Sequence, residues 1–495
     1  MAKQMNLNTI TFFHKLVISR LPFICLLGVL LLTSCDKDDD PKPAGTISLQ
    51  ADQTSYEGPR GTEMPISITA IANYGIKSII VTPQGQVAES FPVPDEAKSL
   101  TIEVTMVIPA DALLGDTYML SVEMTDKQGA TQNLDVEVLV SPVLSMTPDS
   151  YSFQRDGIST VSYTGQNERL DMVEQITDYL KTGDGGAALS VQVLTDAYAN
   201  VNGNGHGFYP FTSTKQLKNK SFQPDLDNMF MSNLFLAAEQ ASISVANAAN
   251  GTAGLLVREN SGNTILLDAN GREFTQLIEK GLMGTVMYNQ IFNTYFSDAR
   301  TGDDVENTEL SEGKNYTSME HHWDEAFGYW NPPVDFTSNW PSDRSDEDRF
   351  WSHYSNVVDP FLGTNNIIVD AFIAGRTAIV NNDLPEKNLK RAEIAEQLEL
   401  VAAATTVHYI NSTLSALNEA QTGEAFHTLS EAWAFANAIK YNPTRKLSLE
   451  DIEMIKEEHF GSGGNFWNVT PSGLNQAKSM LIDTYPALAP YQDDL

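Results

Sequence analysis

The densest group of potentially reactive side chains in this 495-residue chain lies at residues 320–330, EHHWDEAFGYW. Its first six residues contain two histidines and three carboxylates, and a run with three aromatic residues follows. Imidazole and carboxylate are the side chains that bind borderline metal ions and transfer protons. This segment is therefore the first candidate for a chemical site.

A helix over residues 319–329, capped by Ser318, would place these side chains on defined faces. Residues three and four apart share one face of a helix, so His321 and His322 would both lie on the same side as Glu325. We expect His322 and Glu325 to be the core ligands of a metal site, with His321 as a secondary candidate. The expected ion is a divalent metal, either iron or zinc.

Glu320 is a further secondary candidate on the same helix. A metal site in a helix bundle also needs ligands from a second helix. His427 and Glu431 are four residues apart and can converge, so we expect them to complete or support the site. His408 lies on the preceding predicted helix, and a turn near residue 421 would bring it close to Glu431. A buried histidine bonded to a carboxylate can equally be structural, and the sequence leaves both interpretations open.

The elements that must position these residues show helical periodicity downstream of residue 142. The predicted helices cover residues 170–182, 230–237, 274–282, 388–418, 423–440 and 449–460. We therefore expect a mostly α-helical bundle domain over residues 143–495.

Upstream of residue 142 the apolar residues alternate instead. Period-two runs at residues 66–70, 100–106, 118–124 and 134–140 predict strands with one buried face. Residues 125–130, TDKQGA, predict a hairpin turn. The expected fold is multidomain, with an N-terminal all-β immunoglobulin-like sandwich over residues 46–142 followed by the helical domain. The sandwich carries no chemical motif, and we expect it to act as a spacer or docking module.

The N-terminus predicts the compartment. Basic residues precede an apolar run at residues 21–32, which is shorter than the roughly 20 apolar residues that a membrane-spanning helix needs. We expect a signal peptide over residues 1–34. Leu32-Thr33-Ser34-Cys35 resembles a bacterial lipobox, which implies that Cys35 is lipidated and attaches the protein to a membrane. Residues 35–45 would form the tether, and the acidic run at 36–40 resembles that of surface-exposed outer-membrane lipoproteins.

Cysteine count and charge exclude several classes of function. Cys25 would be removed with the signal peptide and Cys35 modified, so we expect no disulfide, cysteine nucleophile or cysteine ligand. The formal net charge is −33, with 64 acidic and 31 basic residues. Nucleic-acid binding needs basic patches, so nucleic acid is not an expected partner.

The segment His322-Trp323-Asp324-Glu325, followed by an aromatic run that ends in Trp330, resembles the HxxE signature of the imelysin-like family. The resemblance covers about residues 143–495 and implies a helical, secreted or lipid-anchored protein that is associated with bacterial iron uptake. It also implies that His322 and Glu325 are the metal-binding element. The family has a glycine two residues before the histidine, where this chain has Glu320.

We expect a lipoprotein with a helical metal- or cargo-binding domain, acting in iron, related metal or haem acquisition with an outer-membrane uptake system. A metal-dependent hydrolase or peptidase is the first alternative, but the chain has no His-Glu-x-x-His, Gly-x-Ser-x-Gly or phosphate-loop string. The sequence therefore favours binding over catalysis without deciding it. The second alternative is a purely structural or adhesive protein, whose clustered aromatic residues would form either a recognition surface or a core.

Overall fold

The computed structural model describes residues 45–59, 62–109, 112, 116–141, 147–222, 224–244 and 246–495. The predicted signal peptide, Cys35 and the tether up to residue 44 lie outside the described residues. The chain divides into two compact units, Met1–Ser141 and Pro142–Leu495.

The described part of the first unit is made of β-strands. They are β1 Ile47–Ala51, β2 Tyr56–Pro59, β3 Glu63–Ala72, β4 Ile76–Pro83, β5 Glu89–Phe91, β6 Ser99–Val107, β7 Thr117–Asp126 and β8 Thr131–Ser141. One sheet has the order β1-β3-β6 and the other the order β2-β8-β7-β4-β5. Strand β2 pairs with β8 in parallel, and the other pairs are antiparallel.

Alternation along the strands produces the core of this unit. Ile66 and Ile68 on β3 and Val136 and Val138 on β8 are buried in one cluster that both sheets share. Period-two sequences pack in this way because successive side chains point to opposite faces of a sheet. The predicted immunoglobulin-like sandwich is confirmed.

The predicted hairpin turn joins β7 to β8. The carboxylate of Asp126 accepts hydrogen bonds from the backbone N–H groups of Gln128 and Ala130, both at 2.8 Å. Gly129 has a φ of +91°, a conformation that residues with a side chain rarely adopt.

The second unit is mostly helical, as predicted. Its α-helices are α1 Thr164–Asp184, α2 Val191–Tyr198, α3 Pro224–Ser244, α4 Phe274–Leu282, α5 Asp298–Thr301, α6 Ser318–Trp330, α7 Trp351–Leu362, α8 Thr364–Val380, α9 Leu384–Asn418, α10 Thr422–Ala438, α11 Leu449–Met454 and α12 Pro471–Thr484. Its short strands are β9 Gln154–Arg155, β10 Ile158–Ser159, β11 Gly254–Val257 and β12 Thr264–Leu267.

Two other helical forms extend these elements. The π-helical turns are Met283–Tyr288, Gln290–Tyr295 and Ile455–His459. The 3-10 turns are Val201–Gly203, Lys218–Lys220, Ser342–Arg344, Ile439–Tyr441, Phe466–Asn468 and Pro486–Tyr491. The first two π-helical turns follow α4 and carry its buried face onward to Tyr295.

The aromatic residues around α6 form a core. Trp323 and Trp330 on α6 and Trp351 on α7 are fully buried, and Trp330 stacks on Phe372 of α8 with ring centroids 5.6 Å apart. The core interpretation of these aromatic residues is therefore confirmed. Within the described residues, no single helix is long and apolar enough to cross a membrane; only α7 and α8 taken together, bent by 116°, pass that test.

Candidate functional site

The predicted helix over residues 319–329 is confirmed as α6, although its cap is one residue earlier than expected. Thr317, not Ser318, is the cap: its hydroxyl accepts a hydrogen bond from the Glu320 N–H at 3.2 Å. The Glu320 carboxylate accepts one from the Thr317 N–H at 2.7 Å, which completes a capping box. Thr317 is the capping residue because its backbone is extended, which leaves its side chain free to reach the first turn of the helix.

The acidic pair Glu320 and Asp324 faces inward and is matched by Arg376 on α8. Arg376 Nη1 lies 3.0 Å from Glu320 Oε1, and Arg376 Nε donates to Asp324 Oδ1 at 3.0 Å. Arg155 also pairs with Glu320 at 3.0 Å, and the Tyr151 hydroxyl donates to Asp324 at 2.8 Å. These contacts give Glu320, a secondary ligand candidate, a structural position inside the packing of α6.

The pKa values of this acidic pair shift in opposite directions. Burial raises the pKa of Asp324 to about 6, although the Arg376 charge and the Tyr151 hydrogen bond work against the shift. Burial also opposes ionisation of Glu320, but the charge of Arg376 and the hydrogen bond from Arg155 hold the pKa of Glu320 below its usual range. Two basic partners therefore keep Glu320 ionised inside the protein.

His322 and Glu325 form a hydrogen-bonded pair on the other side of α6. His322 Nδ1 lies 3.2 Å from Glu325 Oε2, and Arg300 Nη1 lies 3.2 Å from His322 Nε2. A guanidinium can only donate, so Nε2 accepts and Nδ1 carries the hydrogen that goes to Glu325. Gln166 and the Tyr295 hydroxyl donate to the other carboxylate oxygen at 3.0 and 3.2 Å.

His321 is the third member of what we call the α6 cluster, which consists of His321, His322 and Glu325. Its Nε2 lies 3.8 Å from Glu325 Oε1, and its ring stacks on Tyr316 with centroids 4.7 Å apart. Burial lowers the pKa of His321, which favours the neutral imidazole. Burial opposes ionisation of Glu325, but the hydrogen bond from His322 and the proximity of His321 hold its pKa below the usual range.

His427 and Glu431 also form a pair, on α10. His427 Nε2 lies 3.4 Å from Glu431 Oε1, while Nδ1 lies 2.7 Å from Oε2 of Glu273, which directly precedes α4. Burial opposes protonation of His427, but the hydrogen bond and charge of Glu273 and the charge of Glu431 raise its pKa. Two carboxylates thus stabilise the imidazolium form.

A cleft of ≈ 610 Å³ opens beside His427 and Glu273. Asp184, at the end of α1, also lines it and accepts hydrogen bonds at 2.8 Å from the Leu266 N–H and the Thr275 hydroxyl. Burial and the nearby charge of Glu273 raise the pKa of Asp184 to about 7. This carboxyl group therefore titrates near neutral pH within the cleft.

The predicted partner residues do not assemble into one site with α6. His408 lies near Glu431, whose charge partly offsets the lowering of the His408 pKa by burial. Helix α10 packs on α9 and α4, whereas α6 packs on α1, α5 and α8. Within the described residues no hydrogen bond or ion pair links His427 or Glu431 to the α6 cluster.

A protein-family model matches residues 148–485, which is more than half of the chain. This chain belongs to the family described as domain of unknown function (DUF4856). No curated protein matches the sequence. The match covers α1 to α12 and leaves the β-sandwich outside, so both candidate sites lie in the DUF4856 domain.

The donor types of the DUF4856 domain suit a borderline metal, but the described residues hold no preassembled site for one. Among them, no group of three or more His, Cys, Asp or Glu side chains is arranged to hold an ion. The α6 cluster contains the two expected core ligands and His321, with two imidazoles facing one carboxylate at 3.2 and 3.8 Å. The DUF4856 domain would therefore supply only part of a coordination shell there.

Sequence reasoning missed several residues that form these sites. Gln166, Tyr295 and Arg300 contact the α6 cluster, and Asp184 and Glu273 line the cleft of the DUF4856 domain. Each comes from a distant part of the chain, so no local spacing marks it. The one available signal is weak: Glu273 immediately precedes the apolar-periodic segment that forms α4.

Proposed function

We propose that this chain is an outer-membrane lipoprotein, anchored through Cys35, whose DUF4856 domain binds a metal-bearing cargo at the α6 cluster. The cargo would pass to an outer-membrane uptake system. The observation that carries the proposal is the convergence of His321 and His322 on Glu325 within one helical turn. Imidazole nitrogen combined with carboxylate oxygen suits iron, manganese or zinc.

Local hydrogen bonding supports a role for each member of the α6 cluster. The lowered pKa of His321 favours the neutral imidazole that a metal requires, and its Nε2 lies 3.8 Å from Glu325 Oε1. The tautomer of His322 directs Nε2 towards Arg300, which lies at the surface and would have to move before a cation binds there. When bound, the metal would supply Lewis acidity and a fixed point of attachment for the cargo.

The sparse donor set favours transport over catalysis. Three side chains of one helix leave coordination positions that the cargo itself would fill. The HxxE resemblance to imelysin-like proteins agrees with this proposal at His322 and Glu325. Glu320, where that pattern has glycine, is engaged by Arg155 and Arg376 and leaves the α6 cluster intact.

The test is metal binding by the purified protein. Calorimetric titration with Zn²⁺, and with Fe²⁺ without oxygen, should show one site that Glu325→Gln and His322→Gln weaken at least about tenfold. His353→Gln is the matched control, because His353 is half-exposed and pairs with Asp348 away from α6. Equal metal binding by wild type, His322→Gln and Glu325→Gln would refute the proposal.

A further inference from the structure

Four cationic side chains lie near the α6 cluster: Arg300 contacts His322 directly, and the charges of Arg169, Lys215, Arg300 and Glu325 all influence the pKa of Lys220. The four are Arg169 on α1, Lys215 and Lys220 on the segment between α2 and α3, and Arg300 on α5. Their concentration contrasts with the chain as a whole, whose formal net charge is −33. The clustering of four positive charges in so acidic a protein calls for a local physical explanation.

Two of the four lie together at the start of α1. Arg169 Nη1 donates to the Gly165 carbonyl at 2.9 Å and would lie 3.6 Å from a Cβ atom placed on Gly165. Lys215 Cε would lie 2.9 Å from that same Cβ position, so both side chains cover Gly165. The next residue, Gln166, donates to the α6 cluster at 3.0 Å.

The other two cations, Lys220 and Arg300, lie on other elements of the helical unit. The Lys220 carbonyl accepts hydrogen bonds from Asn289 at 2.8 Å and Gln290 at 3.0 Å, which hold Lys220 beside the π-helical turn that carries Tyr295. Arg300 reaches His322 at 3.2 Å. Burial, together with the charges of the other three cations, lowers the pKa of Lys220, while Glu325 works against that shift.

The positive charge of this group is not matched by neighbouring carboxylates. Within the part of the chain that the structure describes, none of the four forms an ion pair within 4.0 Å, although Arg169 is 6% exposed. Glu168, the adjacent carboxylate on α1, accepts a hydrogen bond from Ser213 instead. The Arg169 guanidinium donates to the backbone carbonyls of Gln216 at 3.1 Å and Gly165 at 2.9 Å, but among the described residues no carboxylate neutralises its charge. An anion at this position would therefore be stabilised.

We infer that Arg169, Lys215, Lys220 and Arg300 form a binding site for a small anion that carries two or more carboxylate or phosphate groups. The inference deepens the proposed function and rests on it for the identity of the cargo site. The α6 cluster supplies too few donors to complete a metal shell, so the metal would arrive held by an anionic chelator. The four cations would bind the groups of the chelator that do not contact the metal.

The test uses metal-free full-length protein and two probes, citrate and pyrophosphate. Calorimetric titration at low ionic strength should detect binding of at least one probe, and added salt should weaken it. Lys220→Gln and Arg300→Gln should each lower the affinity at least about tenfold, because each removes one charge from the group. Lys446→Gln is the control for net charge, since Lys446 pairs with Glu396 at the surface away from α6.

Arg300→Gln separates this inference from the proposed function. It should weaken binding of the anion but strengthen binding of bare Zn²⁺, because it removes a positive charge 3.2 Å from His322 Nε2. Arg300 is exposed, so this variant is decisive even if Lys220→Gln fails to fold. Absence of binding by both probes, or equal affinities for wild type and Arg300→Gln, would overturn the inference whatever the metal titration shows.

Discussion

Replacement of Arg376 by leucine should destabilise the helical unit strongly. Arg376 and Asp324 are fully buried and Glu320 is 1% exposed, so the change leaves two buried carboxylates without their shared cation. Breaking a buried ion pair from one side costs about 3–5 kcal/mol. Arg155 still pairs with Glu320, and Tyr151 still donates to Asp324, so we expect the lower part of that range.

The loss should depend on pH. With Arg376 present the pKa of Asp324 is about 6, above its unfolded value of 3.8, so its contribution to stability falls as the pH rises between these values. Without Arg376 that pKa rises further, and the fall continues to higher pH. Arg376→Leu should therefore lose less stability at pH 5, where Asp324 is protonated, than at pH 8.

Tryptophan fluorescence during denaturant unfolding provides the assay. All six tryptophans lie in the second unit, between Trp323 and Trp467, so the signal reports on the helical unit alone. For roughly 350 residues, a loss of about 3 kcal/mol corresponds to a fall in Tm of about 4 °C. The triple variant Arg376→Leu, Glu320→Gln, Asp324→Asn should recover most of the loss, because it leaves no buried charge unpaired.

Two results would refute this reasoning. The first is a loss below about 1 kcal/mol at pH 8, which would mean that water or another cation already compensates the two carboxylates. The second is an equal loss at pH 5 and pH 8, which would mean that Asp324 does not take up a proton when Arg376 is absent.

Three further predictions concern the helices that carry the candidate sites. Thr317→Ala should lower the free energy of unfolding by about 1 kcal/mol because it removes the cap of α6. Thr317→Ser keeps a capping hydroxyl and should retain most of that stability. Gly375→Ala should cost about 1–3 kcal/mol, since its new Cβ would lie 2.1 Å from Trp323 Cζ2 on α6. His427, whose pKa is raised against the effect of burial by carboxylate neighbours, stabilises the fold fully below its unfolded pKa of 6.5 and loses that effect as the pH rises through its folded pKa. His427→Gln should therefore lower Tm more at pH 6 than at pH 9.

Local periodicity predicted the elements whose burial is one-sided. The strands β3, β6, β7 and β8 bury every second residue over much of their length, and α9 keeps a polar face over most of its length. Helices α7 and α8 were not predicted, because α8 contains the β-branched run Ile367-Ile368-Val369 and is buried on most sides. A helix that is apolar almost all round has no alternation to recognise.

The residues of the candidate sites also divide into those that the sequence predicts and those that it does not. The pairs of His322 with Glu325 and of His427 with Glu431 follow from helical spacing, and both were predicted. Their further partners could not be, since Gln166 lies 159 residues from Glu325 and Glu273 lies 154 residues from His427. Such contacts depend on how the helices pack, which the spacing within one helix does not encode.

The density of reactive side chains on α6 therefore has two physical origins. On the inward face, Glu320 and Asp324 are matched by Arg376, so their charges serve the packing of α6 on α8. On the other face, Glu325 receives hydrogen bonds from neutral groups, while the surrounding cations remain without ion pairs in the described residues. Residue types alone do not separate the two faces; the balance of charge around each carboxylate does. Cations without ion pairs beside two imidazoles are the local pattern on which the proposed ligand site rests. This pattern distinguishes the α6 cluster from the buried group of Glu320, Asp324 and Arg376, whose charges are matched.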